Sequence, residues 1–80
     1  MKDVVIYTKD GCRFCEMTKA LFTDSLKNPF VEKNVSTDPE ALQEFQAKGY
    51  DKVPVIIVDG KVIVGYKPFE IMALFDNRIK

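Results

Sequence analysis

In the run Val4-Val5-Ile6-Tyr7-Thr8-Lys9-Asp10-Gly11-Cys12-Arg13-Phe14-Cys15, a short apolar strand turns sharply into a helix that carries a Cys-x-x-Cys pair. These are the only two cysteines in the chain, which has no histidine. A strand that feeds a helix at once must return by a crossover, and such crossovers are right-handed. The cysteines then lie beyond the carboxyl end of the strand, where open α/β sheets place their sites. Two thiols three positions apart at a helix start form a redox couple more readily than anything else.

Patterning along the chain supports that layout. It predicts strands over 3–8, 30–35, 54–58 and 61–65 and helices over 13–27, 38–48 and 68–78, in the order βαβαββα. On a wheel of the first helix, Phe14, Met17, Thr18, Leu21, Phe22 and Leu26 share one half, and Arg13, Glu16, Lys19, Thr23 and Lys27 the other. Cys15 falls on the apolar half and Cys12 at the polar border, so one thiol is accessible and the other sheltered. Asn28-Pro29 ends this helix, because the residue before proline avoids helical angles. Thr37-Asp38-Pro39-Glu40 reads as a capping box with proline in the first turn. Leu42 and Phe45 form the inward face of the second helix, and Gly49 is its C-terminal cap. Asp59-Gly60 suits the type I′ turn of a two-residue hairpin. The apolar runs on either side suggest strands covered on both faces. Pro68 opens the last helix, with Ile71, Leu74 and Phe75 turned inward.

Eighty residues make one domain, 1–80. With 46% apolar residues and zero net charge, the chain has the makeup of an ordinary soluble globule. Nothing in that balance attracts nucleic acid or a membrane surface. The first strand is too short for a signal-peptide core or a membrane span, which places the protein in the cytoplasm. Cysteines there are normally reduced, and a close pair is catalytic or metal-binding; a single structural disulfide is the plainer alternative.

Disulfide exchange needs a thiolate attacker and a second thiol that releases the product. At a helix start Cys12 and Cys15 lie about one turn apart, which can meet the Cα separation of roughly 5.5 Å that a disulfide prefers. The free N–H groups of the first turn point toward the Cys12 sulfur. For a thiol in general, a fall in pKa from ~8.5 to ~7 raises the ionised fraction at neutral pH from about 3% to about 50%. Nucleophilicity drops by about fivefold over that interval, so attack gains only about threefold. The larger gain comes when that sulfur is the leaving group. Lys9 and Arg13 flank the pair and favour an anion, whereas Asp10 and Glu16 oppose it. Glu16 is either a proton relay or a solvated surface carboxylate. Arg13-Phe14 between the cysteines tunes the redox potential. Val53-Pro54 opens the third strand, an ordinary place for proline.

On these residues the chain resembles the glutaredoxins over nearly its whole length. The residues that carry the likeness are Tyr7-Thr8-Lys9-x-x-Cys12-x-x-Cys15, Val53-Pro54 and Gly65-Tyr66. The resemblance implies a thioredoxin fold: an α/β, four-stranded mixed sheet flanked by three helices. It also implies a cis Pro54, Cys12 as nucleophile and Cys15 as resolving thiol. It implies further that Lys9, Arg13, Phe14, Val53, Pro54, Gly65, Tyr66 and Lys67 meet the substrate. Two departures narrow it. Cys-Pro-Tyr-Cys is here Cys12-Arg13-Phe14-Cys15. The Gly-Gly-x-Asp-Asp that grips the amino end of glutathione is here Val64-Gly65-Tyr66-Lys67-Pro68, with a cation and a proline in place of acids. Lys9 and Val53 remain to hold part of glutathione. The segment Gly65-Tyr66-Lys67-Pro68-Phe69 is similar to that of the NrdH-redoxins, glutaredoxin-like in sequence and thioredoxin-like in behaviour, although Ile63 stands where they usually carry tryptophan. That likeness implies electrons taken from thioredoxin reductase and passed to ribonucleotide reductase. A full thioredoxin fits less well, since Cys-Gly-Pro-Cys is absent and Ile6 replaces its buried carboxylate.

The leading expectation is therefore a monomeric cytoplasmic dithiol–disulfide oxidoreductase. It would bind no cofactor, cycle through a Cys12–Cys15 disulfide, and be recycled by thioredoxin reductase or, alternatively, by glutathione. A second class is metal or iron–sulfur binding, which two cysteines cannot complete without dimerisation or an outside thiol. A third is a docking adaptor using Tyr66, Pro68 and Phe69. Tyr7 and Phe14 read first as packing residues, Tyr66 and Lys67 as caps of the last helix, and Phe69 as core or interface.

Overall fold

The computed structural model describes residues 1–75. The expected order appears: β1 (Val4–Thr8), α1 (Arg13–Ala20), a π-helical continuation (Leu21–Ser25), β2 (Val31–Asn34), α2 (Pro39–Ala47), β3 (Val55–Val58), β4 (Lys61–Val64) and α3 (Pro68–Ala73). The sheet order is β2-β1-β3-β4, with β1 parallel to β2 and antiparallel to β3, and β3 antiparallel to β4. This is the four-stranded mixed sheet and three helices of the thioredoxin fold. The third helix was expected over 68–78; positions 76–78 lie outside the described residues, and the helix ends at Ala73. Among the described residues no helix is long and apolar enough to cross a membrane.

Strand alternation divides the core into two layers. Val4, Ile6, Ile56, Val58 and Ile63 face Phe22 and Ile71, which puts α1 and α3 on one side. Tyr7 and Val55 face Phe45 of α2 on the other. Tyr7 is indeed a packing residue, 1% exposed, with its ring tilted against Phe45 and Tyr50 and its hydroxyl donating to Glu44 at 3.0 Å. Helical winding continues after Ala20, but as a π segment in which the Leu26 N–H reaches Leu21 O at 2.9 Å. The wheel survives this change: Phe22 is fully buried, and Leu21 and Leu26 pack against it. The helix stops short of Lys27, which takes a left-handed φ of 50°. Asn28 then turns inward, its side chain accepting from Lys2 N and donating to Lys2 O and Pro29 O.

Four expectations are corrected. Phe14 and Met17, on the apolar half of the wheel, are exposed because α1 meets the sheet through Cys15, Thr18 and Phe22. Leu42 is exposed as well; Ala41 joins Phe45 as the buried face of α2. β4 is not covered on both faces: Ile63 is buried, but Val62 and Val64 lie on the side where α2 packs against Tyr7 and Val55 and does not cover β4. Phe69 is 85% exposed and not core. β3, between β1 and β4, is the strand covered on both sides.

The hairpin turn is as expected, with φ of 47° at Asp59 and 87° at Gly60, and Gly49 takes the left-handed position after α2. The cap of α2 is Asp38 rather than Thr37. Its carboxylate accepts from Glu40 N at 3.0 Å and Ala41 N at 3.4 Å. A charged acceptor one residue closer to Pro39 outcompetes the threonine hydroxyl for those donors. Asp38→Ala should therefore cost about 1 kcal/mol in urea unfolding and Thr37→Ala less than about 0.5 kcal/mol. Equal losses would return the cap to Thr37.

Candidate active site

Asp10 and Gly11 turn the chain from β1 into α1, with Gly11 at a left-handed φ of 71°. Asp10 accepts from the Asn34 amide at 3.0 Å, and its N–H donates to Ser36 at 3.0 Å, so the turn is tied to the end of β2. That geometry makes Cys12 the N-cap of α1, in an extended conformation. Its Sγ accepts the Cys15 N–H at 3.1 Å, and its carbonyl accepts the Glu16 N–H at 3.2 Å. A cap normally uses an oxygen here; sulfur takes its place. Cys12 is partly exposed and Cys15 fully buried, the division that the wheel expected.

Burial is the main reason that the Cys15 thiol is pushed up to about 12. Its relation to the Cys12 side chain adds to the shift, and a backbone hydrogen bond from Lys9 opposes it. The two sulfurs therefore differ in access, and the buried one stays protonated at neutral pH.

A polar network lies one helical turn further on. The Thr8 hydroxyl donates to Glu32 at 2.7 Å, and Lys19 donates to the same carboxylate oxygen at 3.0 Å. The Thr8 bond is the chief cause holding the Glu32 carboxyl below its usual range. Lys19 also pairs with Glu16 at 3.0 Å, and this bond, followed by the one to Glu32, raises the lysine. Glu16 is thus an exposed carboxylate held by Lys19. Ile6 is buried as expected, but its register partner on β2 is Glu32, so a carboxylate enters at that level of the sheet from the neighbouring strand. The pairing register carries this placement, and no pattern along the chain reveals it.

The expected substrate residues separate into three groups. Lys9, Arg13, Phe14 and Val53 line, with Cys12, one groove of about 590 Å³. Pro54 follows a cis Val53–Pro54 bond and is buried, and its carbonyl accepts the Gly65 N–H at 2.7 Å, which brings the end of β4 to this edge. Tyr66 is then placed to stack on Phe14, with ring centroids 5.9 Å apart and planes 22° apart. Phe14 is therefore part of an exposed aromatic wall and not a core residue. Lys67 stands apart: it is the N-cap of α3 without a side-chain cap bond, and its ammonium faces Glu70 at 4.0 Å. The groove also includes Val35, Phe45, Asp51 and Lys52, which sequence reasoning did not select. Lys52 adjoins Val53-Pro54, and that adjacency was the available signal.

Comparison with known proteins places this geometry. The glutaredoxin family model matches residues 4–63. A glutaredoxin-like 8.6 kDa protein in the rubredoxin operon of Clostridium pasteurianum is 34% identical over 75 residues, covering 92% of this chain and 99% of its own. The glutaredoxin-like protein NrdH of Lactococcus lactis is 30% identical over 71 residues, covering 89% and 97%. The solved structure of the NrdH-redoxin from Escherichia coli, described as having a thioredoxin-like activity profile, superposes with a TM-score of 0.78 at 30% identity, covering 90% of this chain and 93% of that one.

A thiol raised from 9.0 to about 12 is ionised roughly a thousandfold less at neutral pH. Iodoacetamide at pH 7 should therefore label Cys12 and leave Cys15 unmodified until the chain unfolds, as read by peptide mass mapping. Equal labelling would contradict the burial assignment. Above pH 9 an unfolded chain ionises this thiol while the native chain keeps it protonated, so stability falls as pH rises from about 9 toward about 12. Melting curves of Cys15→Ala should show a shallower decline over that window.

Proposed function

The chain belongs to the glutaredoxin family of thiol–disulfide oxidoreductases, and on that premise we propose that it is a cytoplasmic dithiol carrier that reduces protein disulfides, such as that of ribonucleotide reductase, with electrons from thioredoxin reductase. The observation that carries the reading is the asymmetric pair: a partly exposed Cys12 sulfur bonded by the Cys15 N–H, and a buried Cys15 thiol behind it.

The steps follow from that asymmetry. The Cys12 thiolate attacks one sulfur of the client disulfide; a Cys12–client bond forms, the client bond breaks, and the released client thiolate takes a proton from solvent. Cys15 then loses its proton and attacks the Cys12 sulfur; the Cys12–Cys15 bond forms and the second client thiol leaves. The client gains two electrons and two protons; the carrier gives up two electrons and the Cys15 proton, and solvent supplies the other. The Cys15 N–H is aimed at the Cys12 sulfur, where negative charge gathers whenever that sulfur departs, which includes re-reduction of the carrier. Regeneration takes two electrons from an outside thiol reductant.

Two features favour thioredoxin reductase over glutathione. The segment Val64–Pro68 supplies no acid for the glutathione ammonium, and Glu70, one turn into α3, faces Lys67. The structural likeness to a redoxin with a thioredoxin-like activity profile points the same way. Against them, Lys9 and Val53 share the Cys12 groove and suit part of glutathione, so this donor is the second reading. Oxidised protein given NADPH with thioredoxin reductase should regain both thiols; rapid recovery only with glutathione and its reductase would reverse the choice.

Two further outcomes test the assigned roles. Cys15→Ser should accumulate a mixed disulfide through Cys12, seen by mass spectrometry; trapping through Cys15 in Cys12→Ser would invert the roles. Release of the client by the native protein should speed up about tenfold per pH unit between pH 6 and 9, because burial, the largest cause of the raised Cys15 thiol, keeps the attacking group protonated over that range. A plateau near pH 7 would show that Cys15 ionises readily at this step.

A further inference from the structure

Four cations of the described residues stand in ion pairs. Lys2 pairs with Asp59 at 3.6 Å, Lys19 with Glu16 and Glu32 at 3.0 Å, Lys33 with Glu44 at 2.6 Å, and Lys67 with Glu70 at 4.0 Å. Lys9, Arg13, Lys27, Lys48, Lys52 and Lys61 are exposed and take part in no ion pair among the described residues. Of these, Lys9, Arg13 and Lys52 line the same groove as the Cys12 sulfur, with Asp51 as the one acid there. Three cations against one anion leave a local excess of two positive charges, in a chain whose net charge is zero. Isolated surface lysines need no explanation. Convergence on one groove beside the reactive sulfur does, because a field of one sign at a cleft steers and selects a partner of the other.

We propose that this groove takes an acidic segment of a disulfide-bearing protein client, with Lys52 as a specificity-determining residue beside Lys9 and Arg13. The proposal rests on the dithiol reading above. A peptide suits the groove better than glutathione does. Glutathione brings an ammonium along with its carboxylates, and on the Gly65–Pro68 side the charged group present is Lys67, not an acid. Carboxylates flanking a client disulfide bring negative charge alone. Val53 and Phe45 give the groove apolar lining, and Phe14 stacked on Tyr66 gives an aromatic wall for the backbone of such a segment.

The test uses prereduced protein in single turnover with three synthetic disulfide peptides identical except for flanking aspartates, serines or lysines. Glutathione disulfide is the fourth substrate. The second-order rate constant for the acidic peptide should exceed that for the lysine peptide by tenfold or more at low salt and by under about threefold near 0.5 M NaCl. Lys52→Glu should lower the acidic-to-neutral ratio by threefold or more. Lys61→Glu makes the same charge change at the opposite end of the sheet and should leave that ratio unmoved. Wild-type protein that does not separate the peptides, or equal effects of the two variants, would overturn the proposal. So would glutathione disulfide matching the acidic peptide. Failure to reduce any of the peptides would instead strike at the dithiol reading itself.

Discussion

The bond from the Cys15 N–H to the Cys12 sulfur, 3.1 Å long, is the contact on which the site depends. It exists because β1 ends at Thr8, Gly11 takes a left-handed turn, and α1 begins at Arg13. Only then is Cys12 an N-cap, with a sulfur where a helix presents an unsatisfied donor. The same first turn sends Cys15 inward toward the sheet. One local geometry thus exposes one sulfur and hides the other, and the two remain close enough to be joined.

The surrounding structure keeps that geometry fixed. β3, buried on both faces, lies beside β1 and leads back to Val53-Pro54 at the edge of the site. Its partner β4 delivers Gly65 to the Pro54 carbonyl and so sets Tyr66 against Phe14. On the other edge, Asn34 and Ser36 hold the Asp10 turn. Beneath α1, the Thr8–Glu32–Lys19 network satisfies three polar side chains where helix and strands meet. The groove residues Lys9, Arg13 and Lys52 have no comparable partners among the described residues, which leaves their charge available to a client.

Much of this was legible in the sequence, for physical reasons. Two cysteines three apart at a strand–helix junction restrict the chemistry, and the short apolar runs restrict the fold. The helical wheel separated Cys12 from Cys15 because burial follows the 3.6-residue period. The same wheel failed at Phe14 and Met17, because a period shows which residues share a face and not how far the neighbouring layer extends. Val62 and Val64 are exposed for the same reason: α2 covers part of one sheet face and leaves β4 open. Asp38 displaced Thr37 as a cap through competition between acceptors one residue apart. Glu32 and Lys52 went unnoticed because their significance depends on strand register and on loops meeting in space. For Lys52 the one signal along the chain was its place next to Val53-Pro54; for Glu32 there was none.

The central claim is that Cys12 and Cys15 form one two-electron couple. Its most direct test is a redox titration of the purified protein in dithiothreitol buffers, with free thiols counted by gel shift. The account predicts that both thiols disappear together in the monomer, with a slope of about 30 mV per tenfold change in the oxidised-to-reduced ratio. Loss of one thiol alone, or oxidation that appears only as a disulfide-linked dimer, would contradict it.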